Sequence, residues 1–136
     1  MKWVSRIFAG VVSLLFVMGI VQMLASESDE VVVLTTIDDS GTEQRTRLWI
    51  VDVDGTPYLR AGDPRSQWYA RLVSHPDIRL ERQDKTLAYH AVPAPEETPR
   101  INALMADKYG WADRYVGAIF PRSRAMAIRL EMPDQT

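Results

Sequence analysis

Nineteen consecutive residues, 7–25, carry no charged side chain and only Ser13 and Gln22 as clearly polar ones. At roughly 1.5 Å per residue a helix of that length reaches about 28 Å, close to the hydrocarbon thickness of a bilayer. Residues 1–25 are therefore expected to form a single-pass transmembrane anchor. A cleavable signal peptide is the alternative, because Lys2 and Arg6 make a basic start and Ala25 suits a cleavage site. Against it, the apolar run is longer than signal peptides use, and Met23 stands where a small residue is wanted. With Lys2 and Arg6 ahead of the span and no further basic residue until Arg45, the positive-inside rule places the amino terminus in the cytoplasm. Trp3 fits an interfacial aromatic.

The remainder is one domain's worth of chain. Residues 26–30 read as a spacer and residues 31–136 as the domain. The protein carries 16 basic and 18 acidic side chains; Lys2 and Arg6 are among the first and no acid precedes Glu27, so the remainder has a net charge of about −4. Acidic balance with interspersed signs speaks against nucleic acid as a partner. The absence of cysteine excludes disulfides, thiol nucleophiles and cysteine-ligated metals. Two histidines and no recognisable carboxylate spacing leave no metal site, and no Gly-x-Ser-x-Gly elbow supports a serine hydrolase.

Residues 31–37, Val-Val-Val-Leu-Thr-Thr-Ile, predict a strand buried on both faces. After a turn at residues 38–41, residues 45–52 alternate. Arg45, Arg47, Trp49 and Val51 share one face, and Thr46, Leu48 and Ile50 the other. Asp54-Gly55 is a hairpin signal leading to a third strand at residues 56–61. Asp63 as N-cap with Pro64 at the first helical position predicts a helix to Ser74, ended by His75-Pro76. Residues 77–83 and 86–92 form a second hairpin around Asp84-Lys85. Thr98-Pro99 opens another helix, which Gly110 stops; a third helical piece runs from Trp111, and residues 125–132 close the chain as a strand. The class is α+β: about six short, mainly antiparallel strands in a small barrel, with two or three packed helices behind the anchor.

Thr35-Thr36, Ser40-Gly41, Arg45 to Leu48, Asp54-Gly55 with Tyr58, Ala61-Gly62, and Trp68-Tyr69 with Arg71-Leu72 and Pro76 follow in an order that resembles the deazaflavin-dependent nitroreductase family. The resemblance covers roughly residues 31–130. It implies the split β-barrel shared with pyridoxamine-phosphate oxidases and other flavin reductases. It also implies the deazaflavin coenzyme F420 as cofactor, with FMN or no cofactor as alternatives, and a lipophilic quinone-like or nitroaromatic hydride acceptor.

In that family the segment matching Ser40, Gly41, Arg45 and Arg47 holds the phosphate end of the coenzyme. The segment around Ala61, Gly62, Trp68 and Tyr69 lines its ring. Turn amides and an arginine fork suit a phosphate, a glycine admits close backbone approach, and an aromatic can wall a planar ring. Tyr115, and behind it Tyr109, resemble the tyrosines beside the acceptor, and a homodimer is implied. Where the family carries a basic residue before Ser-Gly, this chain has Asp39, with Asp38 beside it; Arg71 restores some positive charge. Packing is the other role open to Trp68, Tyr69 and Tyr115, and solvation the other one for Arg45 and Arg47. A non-catalytic ligand-binding or interaction domain on the same barrel is the alternative function.

Overall fold

The computed structural model describes residues 2–28, 30–119 and 121–133, with the side chains of Lys2, residues 19–28 and Arg122 outside that description. The chain divides into two compact units, Met1–Glu30 and Val31–Thr136.

The first unit is one helix, α1 (Lys2–Ser28). It continues through the first three residues of the predicted spacer, because Ser26, Glu27 and Ser28 tolerate helix and no glycine or proline stops it there. Trp3, Phe8, Leu14, Leu15 and Phe16 are among its exposed large apolar side chains. Among the described residues no helix is long and apolar enough to cross a membrane. The side chains of residues 19–25, the last third of the expected span, lie outside the described residues.

The second unit is a curled antiparallel sheet with three helices. Its strands are β1 (Val32–Ile37), β2 (Glu43–Leu48), β3 (Ile50–Val53), β4 (Thr56–Ala61), β5 (Asp77–Arg82), β6 (Lys85–Pro93) and β7 (Met126–Glu131). They lie in the order β2-β1-β5-β6-β7-β4-β3. The helices are α2 (Gln67–Ser74), α3 (Thr98–Tyr109) and α4 (Trp111–Ile119).

Seven strands replace the expected six because the alternating run at residues 45–52 breaks at Trp49. Its first part pairs with β1 and its second with β4, so the two edges of the curled sheet are consecutive in the chain and meet at this residue. Backbone groups released at the bend are taken up by α3. The Ile50 N–H donates to the Tyr109 hydroxyl at 3.1 Å, and the Ile50 carbonyl accepts from that hydroxyl at 3.2 Å and from the Lys108 ammonium at 2.8 Å. Trp49 stacks on the Tyr109 ring, centroids 4.3 Å apart and nearly parallel. Burial leaves such groups costly unless paired, and this corner pairs them.

The period-two pattern assigns the two faces as expected. Val32, Leu34, Ile50, Leu59, Leu80, Ile128 and Leu130 fill the barrel interior with Leu72 of α2. Val51, Tyr58 and Ala127 face outward, where Ile101 and Met105 of α3 cover them. Each fully buried Leu or Ile stabilises the fold by roughly 1.5–3 kcal/mol. Strand β1 departs from expectation. Only its inner face is closed, and Val33 and Thr35 are half-buried on the outer face. Outside them, Arg79 pairs with Glu43 and Arg45 with Glu81, joining β2 to β5 across β1. The second face expected to be buried is therefore only half-closed and is flanked by two ion pairs.

Both hairpins turn through two residues. Asp54 and Gly55 have φ of +50° and +82°, and Gln83 and Asp84 have +51° and +63°. The second turn sits one residue before the expected Asp84-Lys85, because Arg82 pairs with Lys85 in the ladder. Two successive positive φ angles match the twist of the flanking strands.

Helix α2 starts three residues later than its signals suggest. The Asp63 carboxylate accepts the Arg65 N–H at 2.9 Å and the Arg65 guanidinium at 2.9 Å, so it closes a turn of its own instead of capping a helix. Ser66 precedes the helix. Helix α3 begins at Thr98 itself, one residue before the Thr98 cap signal implies, because the Thr98 hydroxyl accepts the Ala127 N–H of β7 at 3.1 Å and caps nothing; Pro99 lies in its first turn, and it ends as expected, with Gly110 at φ +57°.

Candidate functional site

The barrel has two ends. At one, the carboxy-terminal ends of β1 and β4 meet α2 and the turn between β1 and β2. Seven of the predicted site residues, Ser40, Gly41, Ala61, Gly62, Trp68, Tyr69 and Arg71, belong to these segments.

The turn is organised by a carboxylate. Asp38 Oδ1 accepts the Ser40 N–H at 3.0 Å, the Thr42 N–H at 3.0 Å and the Ser40 hydroxyl at 2.6 Å. The Gly41 N–H donates to the Asp38 carbonyl at 3.0 Å, with Gly41 at φ +83°. The Ser40 hydroxyl and Thr42 N–H hold the Asp38 carboxyl below its ordinary value of 3.8. These are the amides expected to cradle a phosphate, and an anion of the chain's own already occupies them. The turn as folded therefore does not fit the phosphate end of a deazaflavin. Asp39 pairs with His75 at 3.1 Å, tying the turn to the residue after α2.

Arg45 and Arg47 extend away along the outer face of β2, opposite Thr35 and Val33. Arg45 donates to Glu81 at 2.9 Å, which satisfies the charge its phosphate role required. Arg47 is exposed and has no ion-pair partner among the described residues. Arg71 reaches from α2 into the sheet, where its Nε donates to the buried Thr36 hydroxyl at 2.9 Å. The compensating positive charge expected of Arg71 thus serves to dock α2 on β1.

Ala61 is fully buried in the barrel interior. Gly62 follows it at the entry to α2, and Trp68 and Tyr69 pack half-buried against the interior cluster. Their rings meet edge to face, centroids 6.3 Å apart at 89°. Burial pushes the Tyr69 hydroxyl above its ordinary value of 10, so it stays a neutral donor at all physiological pH. This pair is the one predicted element whose geometry suits a planar ring.

Tyr109 is used up in the core at the Ile50 bend. Tyr115 lies exposed on α4, and no ring contact joins it to Trp68 or Tyr69 among the described residues. What holds α4 is a group outside the residues that the resemblance marks. Arg60 of β4 donates to Asp113 at 2.6 Å and to Asn102 of α3 at 3.2 Å, with both charged side chains almost fully buried. The available signal is an arginine in β4 on the same side as Tyr58. Its partner stood more than fifty residues away and had no marker.

At the opposite end lie Gly55, the start of β4 and the end of β7. A groove of about 470 Å³ runs between Gly55, Pro57, Tyr89, Arg129 and Met132, and it includes none of the predicted site residues. Near it Arg82 and Asp52 form a two-pronged pair at 2.9 and 2.7 Å, which holds the Asp52 carboxyl low. The two histidines stand as loop and strand residues: His90 lies 2.9 Å from Asp77 and His75 against Asp39. Among the described residues no cluster could hold a metal ion.

Residues 22–130 match the model of a family described as "Uncharacterized protein conserved in bacteria (DUF2255)". The chain belongs to that family. No curated protein matches this family member. Among solved structures it is similar to an F420-H2 dependent reductase, FDR-A, at 24% identity and a TM-score of 0.61, covering 76% of this chain and 95% of that one. It is similar to a putative pyridoxamine 5'-phosphate oxidase from Listeria innocua at 14% identity and a TM-score of 0.59, covering 86% and 92%. The heme storage protein HutZ from Vibrio cholerae matches at 15% identity and a TM-score of 0.61, covering 85% and 89%. These likenesses show the fold. This DUF2255 chain has the split barrel that the resemblance implies.

Proposed function

We propose that the protein is a membrane-anchored oxidoreductase of the deazaflavin-dependent nitroreductase type. A bound deazaflavin, or a flavin in its place, supplies hydride chemistry, and the acceptor is a lipophilic quinone-like or nitroaromatic compound. The observation that carries this reading is the position of Gly62, Trp68 and Tyr69. The edge-to-face ring pair stands at one end of a barrel whose fold is also that of F420-H2 dependent reductases. Trp68 and Tyr69 orient a planar ring, and the neutral Tyr69 hydroxyl offers it a hydrogen bond. Tyr115 stands on the acceptor side. The apolar run at residues 7–25 holds the pocket near membrane-dissolved acceptor, with the amino terminus cytoplasmic, and two copies pair as a homodimer.

The turn favours a second reading. Because Asp38 fills the amides that a coenzyme phosphate would need, and Glu81 takes Arg45, a non-catalytic ligand-binding domain on the same barrel accounts for these two pairings better. Titration of the detergent-solubilised full chain with deazaflavin F420, FMN, FAD and heme separates them. Saturable binding of a deazaflavin or flavin, lost in Trp68→Ala, supports the enzyme. Binding of none of the three redox rings sinks it, and binding of heme alone selects the non-catalytic domain.

A further inference from the structure

Helix α4 is built inside out. Its one acid, Asp113, is buried against Arg60, while its three largest described apolar side chains face solvent. Trp111, Tyr115 and Ile119 are 78%, 66% and 57% exposed. They stand four residues apart, so they form one stripe along a helix face about 12 Å long. Arg114 and Arg124 are exposed beside and beyond the stripe, and Arg122 adds a third basic residue to the segment 111–124, whose sole acid is Asp113. Arg124 acts at a distance on Asp63, whose carboxylate already holds Arg65. A positive aromatic patch thus stands on a domain whose overall charge is negative.

We propose that the α4 stripe docks on the headgroup region of an anionic bilayer. Tryptophan and tyrosine prefer the interface, where one end of the ring is apolar and the other wet, and an amphipathic helix with basic residues lies flat there. The three arginines complement anionic lipid. A second copy fits less well, since an isologous contact would bring the same arginines of both copies together. The inference deepens the membrane-anchored reading above: it gives the barrel a fixed face toward the membrane, with Tyr115 at the lipid boundary from which a lipophilic acceptor would enter.

The chain has no cysteine, so single nitroxide labels report one site each. The full chain carries Ala118→Cys on α4, Ala88→Cys on the exposed part of β6, or Ser13→Cys in α1, and is reconstituted into vesicles of phosphatidylcholine with phosphatidylglycerol or of phosphatidylcholine alone. In the anionic vesicles the label at position 118 should be open to oxygen and shielded from a water-soluble nickel chelate, while the label at 88 stays open to the chelate. Arg114→Gln with Arg124→Gln should lower the docked-to-free ratio about twenty-five-fold, about fivefold for each arginine. Equal chelate access at 118 and 88 overturns the docking even where the label at 13 reports lipid. Shielding at 118 that persists without anionic lipid and grows with protein density assigns the stripe to a second copy and also overturns it. A chelate-accessible label at 13 refutes the anchor alone, and shielding at 118 in anionic vesicles then still supports docking.

Discussion

The buried pair Arg60–Asp113 is where one substitution should act most strongly. The two side chains are 5% and 7% exposed, 2.6 Å apart, and join β4 to α4, with Asn102 of α3 as the second acceptor. Asp113→Asn keeps the shape and one acceptor but removes the counter-charge, leaving the guanidinium buried without an anion. Removing one member of such a pair costs about 3–5 kcal/mol. The retained acceptor puts this variant near the lower figure. For a domain of this size a loss of about 3 kcal/mol lowers Tm by roughly 10–20 °C. Urea unfolding of the Val31–Thr136 unit, followed by tryptophan fluorescence, should show the midpoint falling with an unchanged slope. The double variant Arg60→Met with Asp113→Leu should return to within about 1 kcal/mol of the parent, because replacing both charges removes the desolvation cost along with the attraction. If Asp113→Asn cost under about 1 kcal/mol, or the double variant lost the sum of the two singles, the pair would not be the tie between α4 and the barrel.

Three further outcomes follow from named contacts. Tyr109→Phe should destabilise by about 1–2 kcal/mol, since the Ile50 N–H loses its acceptor at the strand bend, whereas Tyr115→Phe on the exposed face should stay within about 0.5 kcal/mol; equal effects in denaturant titration would undo the distinction. Asp84→Gly should stabilise by about 1 kcal/mol, because position 84 has φ +63° in a two-residue turn; a loss of stability would show that its side chain matters more than its backbone. The Arg65 side chain and N–H hold the Asp63 carboxyl at about 2, and Asp38 is held low by Ser40 and Thr42. Both folded values lie below the ordinary 3.8, so their stabilising effect is complete above that pH and is lost as pH falls through the folded values; a carboxyl-detected NMR titration giving Asp63 an ordinary midpoint would refute this.

Much of the fold was legible because period and punctuation are local. The alternation of Thr46, Leu48 and Ile50 against Arg47, Trp49 and Val51 assigned the inner and outer faces correctly, and Thr98-Pro99 and Gly110 bounded α3. What stayed hidden depends on partners far apart in the chain. The break at Trp49 leaves no mark in the alternation, since it arises where Tyr109 supplies hydrogen bonds from another element. Asp63 carries the signature of a helix cap, but Arg65 two residues on competes for the same carboxylate and wins. The candidate site divides the same way. Trp68 and Tyr69 are neighbours by adjacency, while the partners of Arg45 and Arg71, Glu81 and Thr36, stand more than thirty residues away and carry no local mark.

A motif's residues are therefore not the same as a motif's free valences. A phosphate needs donors whose alternatives are water, and in the β1–β2 turn the alternatives are a carboxylate two residues away. Displacing it would expose Asp38 beside the incoming anion, so the cost includes lost hydrogen bonds and like-charge repulsion at once. Arg45 presents the same problem, as Glu81 would be left on the outer face of β5. Arg47 has no such competitor, and it stands farther along β2 than the turn. An anionic tail bound to this barrel would thus run along the outer face of β2 toward Arg47. A neutral ligand would need only the Trp68–Tyr69 end, and Arg47→Ala separates the two: it weakens an anionic ligand several-fold and leaves a neutral one unchanged.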